Sequence, residues 1–258
     1  MNILAIGDLT EPRAVPFLQE KLDAFCRENH VSFVVANGEN AGFIMGPTPD
    51  LAEKLRRAGV DCVTGGNHTL QNKFLYTMLE NDIHLLRPQN YPPSAPGRGY
   101  TILNADGYRL LIVNVLGQVH MEPVPDNPFF AVDRVLQRES GNYDIAILDI
   151  HAEATGEKLA LAHYFDGRIS VIFGTHTHIP TADEQILPNG SGYVTDLGMC
   201  GGSTGILGVK KEVVIERMTT RLPVKSEPDN GPMVAYGAIF TVDPDTGRCT
   251  AVKRVTLH

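Results

Sequence analysis

Ile169-Ser170-Val171-Ile172-Phe173-Gly174-Thr175-His176-Thr177-His178 joins an apolar run to two histidines spaced two residues apart. The run reads as a buried strand. Histidines just past a strand end, on a tight turn, can reach one point as metal ligands. H-x-H alone arises by chance. Here, though, other apolar runs in the chain also end in metal-capable side chains. Residues 3–6 lead into Gly7-Asp8, and residues 31–36 into Asn37-Gly38-Glu39-Asn40. Residues 60–64 lead into Gly65-Gly66-Asn67-His68, and residues 145–150 into His151. The reading that joins them is a set of strand ends converging on a two-metal hydrolytic centre.

The intervening segments fit that reading. Pro12 and Pro16 mark a helix start, with Val15, Leu18, Leu22 and Phe25 following at helical spacing. Pro49-Asp50 opens a second helix through Leu51 and Leu55, closed by Gly59. A third helix is expected over 73–80 and a fourth strand over 83–86. Strand and helix alternate through the first third, the signature of a parallel sheet with crossover helices. In such sheets ligands bind beyond the carboxyl ends of the strands. Asp8, Glu39 and Asn67 all stand there.

Further on, residues 87–98 form a Pro- and Gly-rich loop. Strands are expected over 100–103 and 109–115, around a turn at Asp106-Gly107. A long loop over 119–129, carrying Pro123, Pro125 and Pro128, has the character of a lid. Helices are expected over 132–138 and 157–163, and short strands over 185–187 and 192–195. Gly198, Gly201, Gly202, Gly205 and Gly208 mark a glycine-rich loop, and two strands, 232–241 and 250–256, close the chain. No repeat or internal boundary appears, so residues 1–258 are read as a single domain.

Composition bounds the function. The chain has 22 basic and 30 acidic side chains, a net charge of −8, with no basic run. Long nucleic acid and anionic membranes are therefore not expected partners. Cys26, Cys62, Cys200 and Cys249 are widely spaced without a C-x-x-C. They read as isolated thiols of a reducing compartment. With no signal-peptide pattern and no apolar stretch of about 20 residues, the expected location is cytoplasmic. Exposed loops such as 87–98 leave homo-oligomerisation open.

A two-metal phosphoesterase holds its cations about 3.5–4 Å apart. It needs oxygen and nitrogen donors, and a carboxylate to bridge them. The chain offers Asp8, Glu39, Asn40, Asn67, His151, His176 and His178. Carboxylate and amide oxygens mixed with imidazole suit iron, manganese or zinc rather than a thiolate site. Taken singly, Asp8 and Asn67 also fit helix caps, Glu39-Asn40 fits solvated surface, and His151 fits a core histidine.

At these residues the chain resembles the calcineurin-like metallophosphoesterases, most clearly in Gly66-Asn67-His68 and Gly174-Thr175-His176-Thr177-His178. Two departures mark a narrower group. Gly7-Asp8-Leu9-Thr10 lacks the histidine of G-D-x-H, and Glu39 stands where an aspartate is usual. Together with Asp149-Ile150-His151-Ala152-Glu153-Ala154-Thr155 and Thr195-Asp196-Leu197-Gly198-Met199, they make the chain similar over its full length to the YmdB-like bacterial phosphodiesterases.

That resemblance implies a four-layer α/β/β/α sandwich and two metal ions per chain, iron first, manganese or zinc otherwise. Asp8, Glu39, Asn40 and His178 would hold one metal. Glu39, Asn67, His151 and His176 would hold the other, with Glu39 bridging. His68 would be the proton donor and not a ligand. The implied substrates are small phosphodiesters, 2′,3′- and 3′,5′-cyclic nucleotides. The expected reaction is attack on phosphorus by a hydroxide bridging the metals, with His68 as general acid. The rival readings are a phosphomonoesterase, a nuclease on short RNA, and a non-catalytic nucleotide-binding regulator.

Overall fold

A computed structural model describes all 258 residues. In chain order the elements are β1 (Asn2–Ile6), β2 (Asp8–Leu9), α1 (Ala14–Glu28), β3 (Val31–Asn37), α2 (Pro49–Arg57), β4 (Cys62–Thr64), α3 (Tyr76–Asn81), β5 (Tyr100–Ala105) and β6 (Tyr108–Leu116). Then come α4 (Pro128–Arg138), β7 (Ile145–His151), α5 (Thr155–Phe165), β8 (Val171–Thr175), β9 (Gln185–Ile186), β10 (Gly192–Val194), β11 (Met199–Gly202), α6 (Lys211–Thr220), β12 (Met233–Asp243) and β13 (Arg248–Leu257).

Period-2 alternation decides which side chain enters which layer. In β1, Ile3 and Ala5 face the space between the two sheets, while Leu4 and Ile6 face α1 and α2. In β3 the split is Phe33 and Val35 against Val34 and Ala36. In β7, Ile145 and Ile147 point to the inter-sheet core, and Ala146, Leu148 and Ile150 to α4 and α5. Each sheet is thus buried on both faces, which gives helix, sheet, sheet, helix: the expected four layers.

The first sheet runs β2-β11-β12-β1-β3-β4, with β13 also paired to β12. β1, β3 and β4 are parallel to one another, while β12 is antiparallel to β1, β11 and β13. The second runs β5-β6-β7-β8-β10-β9, parallel from β6 to β10 and antiparallel at both edges. The carboxyl ends of β1, β3, β4, β7 and β8 open on one pole, and every candidate ligand follows one of them. No helix is long and apolar enough to cross a membrane, and the four cysteines are unpaired.

Several expectations fail locally. Residues 83–86 make no strand. They form a single parallel bridge, Val63 with Leu85, beside a β4 only three residues long. The glycine-rich stretch contains β11, paired to β12 and β2. Its glycines are needed for closeness: a Cβ on Gly201 would lie 2.1 Å from Thr10 Oγ1. The 119–129 loop ends early, because Asn127 accepts from Phe129 N at 2.9 Å and caps α4. The helix α6, which no periodicity announces, buries none of its residues. Neither Asp8 nor Asn67 caps a helix: Asp8 lies in β2, and α1 starts at Ala14 without a side-chain cap.

Candidate metal centre

Asp8, Glu39 and His151 are fully buried at the pole where the sheets meet, and Asn40 nearly so. One ligand atom from each of Asp8, Glu39 and His178 lies within 4.8 Å of the others. Beside this group His151 Nε2 faces Asn67 Oδ1 at 3.1 Å, His176 Nδ1 at 3.1 Å and Glu39 Oε1 at 3.9 Å. All seven residues singled out in the sequence as metal ligands come to this pole. Glu39 is the carboxylate near the inward His151 Nε2, while Asp8 Oδ1 lies 3.5 Å from His151 Nδ1 on the other side of the ring.

The hydrogen bonds determine which imidazole nitrogens face inward. Thr175 Oγ1 donates to Asp149 Oδ1 at 2.8 Å, so toward His151 Nδ1, 3.0 Å away, it acts as acceptor. His151 therefore carries its proton on Nδ1 and turns the Nε2 lone pair to the site. His176 Nε2 lies 3.1 Å from Glu153 Oε2, an acceptor, which leaves Nδ1 unprotonated. His178 Nδ1 lies 3.2 Å from the Leu207 carbonyl, which leaves Nε2. A histidine anchored through one N–H, with the other nitrogen free, is the usual state of a metal-ligating imidazole.

Apart from Asn40 Nδ2 and His68, which donate to Glu39, the inward atoms are acceptors facing acceptors. Asp8 Oδ1 and Asn40 Oδ1 are buried with no hydrogen-bond partner at all. Such orphans are costly without a proton or a cation. Donors bound about 2.1 Å from a cation stand roughly 3–3.4 Å from each other, and the 3.1 Å spacings around His151 Nε2 match this. The donor set thus fits divalent cations.

Charge points the same way. Burial, then the neighbouring Glu39 carboxylate, holds the Asp8 pKa well above the ordinary carboxylate value. Burial depresses His151, His176 and His178 and keeps them neutral. His68 is different. Burial opposes its charge, but its hydrogen bond to Glu39 Oε2, 2.8 Å from Nδ1, and that carboxylate's charge raise its pKa overall.

The scaffold beneath was not singled out from the sequence as functional. Asp149 is buried in β7 and accepts from Thr64 Oγ1 at 2.5 Å, Thr175 Oγ1 at 2.8 Å and Asn37 Nδ2 at 2.9 Å. Asn37 Oδ1 in turn accepts from Glu39 N at 3.0 Å and fixes the start of that loop. Lys158 and Asp196 form a buried pair at 2.7 Å, and Asp196 accepts from Thr177 N and Oγ1 between the two histidines. The available signal was polarity inside apolar runs, since a buried Asp or Lys requires partners. His176 and His178 have φ of 97° and 65°, a backbone strain that the surrounding network must sustain. Gly66 is required because a Cβ there would lie 2.5 Å from His151 Nε2.

Comparison with known proteins gives this geometry its context. A Bacillus subtilis protein named 2′,3′-cyclic-nucleotide 2′-phosphodiesterase is 36% identical over 258 residues, covering 100% of this chain and 97% of its own. The crystal structure of a phosphatase from Mycoplasma pneumoniae superposes with a TM-score of 0.92 at 30% identity, over 100% of this chain and 93% of that one. The Haemophilus influenzae NAD nucleotidase, at 14% identity and a TM-score of 0.59, shares the fold over 99% of this chain and 55% of its own length. The family model for YmdB-like proteins matches residues 4–255, and the chain belongs to the YmdB-like family.

Proposed function

We propose that this chain is a two-metal phosphodiesterase that opens 2′,3′-cyclic nucleotides, with 3′,5′-cyclic nucleotides as the second substrate class. The observation that carries this reading is the ring of inward-facing acceptors. Three imidazoles are each anchored through one nitrogen, and the Asp8 and Asn40 oxygens have no partner. The Bacillus subtilis relative's activity on 2′,3′-cyclic nucleotides supports the substrate class.

Asp8, Glu39, Asn40 and His178 would hold one cation, and Glu39, Asn67, His151 and His176 the other. When bound, the cations polarise the phosphoryl oxygens and supply an activated water. The chain's own residues do the rest. Asn37 and His68 N–H hold Glu39 in place from both sides. Asp149, through Thr175, keeps the His151 proton away from the site. His68 has Nδ1 engaged by Glu39 and its side chain 22% exposed, so its other nitrogen is the one available to protonate the leaving ribose oxygen.

The experiment is turnover of 2′,3′- and 3′,5′-cyclic nucleotides, an aryl monoester and short RNA, with metal analysis on the same sample. About two metals per chain with preference for cyclic diesters is the expected result. Preference for the monoester or for RNA would move the function to those classes. Full metal with cyclic nucleotide bound but not turned over would make the chain a binding module.

A further inference from the structure

The turn at 42–46 lies against the metal centre and has no role in the chemistry derived so far. Its backbone is fastened to both sides of the site. Phe43 N donates to Asn40 O at 2.8 Å, and Gly46 N donates to His68 O at 3.1 Å. Gly42 N closes the turn on Met45 O at 3.0 Å. The turn is therefore strung between a proposed ligand and the proposed proton donor.

Two features call for an explanation. Phe43 and Ile44 are consecutive residues in the left-handed region, with φ of 63° and 58°. A bulky aromatic and a β-branched side chain are poor choices there, where glycine or asparagine is the unstrained one. The side chains so displayed are also apolar and in water: Ile44 is 43% and Met45 41% exposed, and Phe43 is half-buried. A turn that needed only to connect β3 to α2 would carry neither the strain nor the exposed hydrophobics. Strained backbone that survives at the edge of a site marks a functional demand.

We propose that Phe43, Ile44 and Met45 form the platform on which the nucleobase of the substrate rests. This rests on the reading of the site as a cyclic-nucleotide phosphodiesterase. A phosphodiester placed on the metal pair must project its ribose and base out of the pole. The turn joining Asn40 to His68 offers that flat partner an apolar surface. Every base has an apolar face, so contact of this kind is sequence-tolerant. None of the three side chains has a hydrogen-bond donor, and only the weak thioether acceptor of Met45 could meet a base edge. The platform therefore grips nucleosides as a class without choosing among bases.

The test compares purified, metal-loaded wild type with Ile44→Asn and with the double variant Ile44→Asn/Met45→Ser. Asparagine tolerates the left-handed backbone, so folding is eased rather than threatened. Substrates are the four 2′,3′-cyclic nucleotides and a base-free analogue, methyl riboside 2′,3′-cyclic phosphate. In wild type the four bases should give kcat/KM values within a few-fold of each other. In the double variant the kcat/KM ratio of cyclic nucleotide to base-free analogue should fall severalfold, chiefly through KM, as expected for losing the apolar contact of Ile44 and Met45 while Phe43 remains. Metal content should match wild type. A ratio that stays constant, or strong discrimination among bases by wild type, overturns the platform while leaving the phosphodiesterase reading intact. A metal-loaded wild type that hydrolyses no cyclic phosphate overturns that reading, and the platform with it.

Discussion

Around His151 the protein supplies its own order. The ring is fully buried, its Nδ1–H donates to Thr175 Oγ1, Thr175 is fixed by Asp149, and Asp149 is fixed by Asn37 and Thr64. Around Asp8 the protein supplies much less. Asp8 Oδ1 and Asn40 Oδ1 have no partner, Asp8 is crowded by Glu39, and His178 is anchored only to the carbonyl of Leu207, a residue at φ 54°. In one half a chain of side-chain hydrogen bonds fixes the imidazole, while in the other Asp8 is placed by the β2–β11 pairing and by His176 N, which donates to Oδ2 at 2.9 Å, and its Oδ1 has no partner. The His151 half should hold its geometry without metal, whereas the Asp8 half should not. Glu39 connects them.

The largest effect should come from the connection. Glu39→Ala removes the carboxylate that joins the Asp8 group to the inward His151 nitrogen. Metal content should fall well below two per chain and diesterase activity to the detection limit, measured by elemental analysis and turnover on one sample. Two retained ions would break the picture of a shared bridge. Next comes His68→Ala, which removes no proposed ligand and leaves the backbone N–H on Glu39, but deletes the Nδ1 contact to Glu39 Oε2. Loss of a general acid costs roughly 10²–10⁴-fold in turnover. Metal content should stay near that of wild type. Joint loss of metal and activity would mean that His68 acts on the metals, as a ligand or by holding Glu39, rather than only as proton donor.

Thr175→Val tests the ordered half directly. Valine keeps the shape but deletes the hydroxyl that sets the His151 tautomer and serves Asp149. Disturbing such a supporting residue costs roughly 10–100-fold in metal affinity or activity. The loss should appear as weaker binding of one metal while the other stays. Equal weakening of both would mean that the two halves are not held separately.

The same contrast explains what could be read from the chain. The ligands were legible because each follows an apolar run of the right length, and a β-strand delivers its end to a place set by topology. Asp8, Glu39, Asn67, His151 and the His176–His178 pair all had that signal. The supports did not. Thr175, Asp149, Thr64 and Asn37 come from four different strands, and only pairing in three dimensions brings the hydroxyls and the amide within 3 Å of the Asp149 carboxylate. The fold failed to show through where packing periodicity is absent. β11 has glycine where a strand would show side chains, α6 buries nothing, and residues 83–86 have strand composition but only one bridge partner.

The smallest readout concerns stability, and it isolates Asp149. Burial first of all, working against the hydrogen bonds from Thr64, Thr175 and Asn37, raises its pKa from 3.8 to about 6. In the unfolded chain the carboxyl loses its proton near 3.8, whereas the folded chain keeps it until about 6. Between those values the folded state binds more protons, so this group's contribution to stability falls as pH rises through the window and is flat above it. The total is at most about 3 kcal/mol. Asp8, raised in the same direction, adds to the slope, while His151, depressed by burial, opposes it as the pH falls below 6.5. Urea unfolding of metal-free wild type and Asp149→Asn from pH 4 to 7 separates these, because only Asp149 differs between the two proteins. Wild type should lose stability relative to the variant as pH rises toward 6. Parallel curves would mean that Asp149 is already ionised at pH 4 and that its three hydrogen bonds outweigh its burial. The ordered half would then rest on a charged anchor beneath Thr175, with the same tautomer at His151 but a stronger pull on its proton.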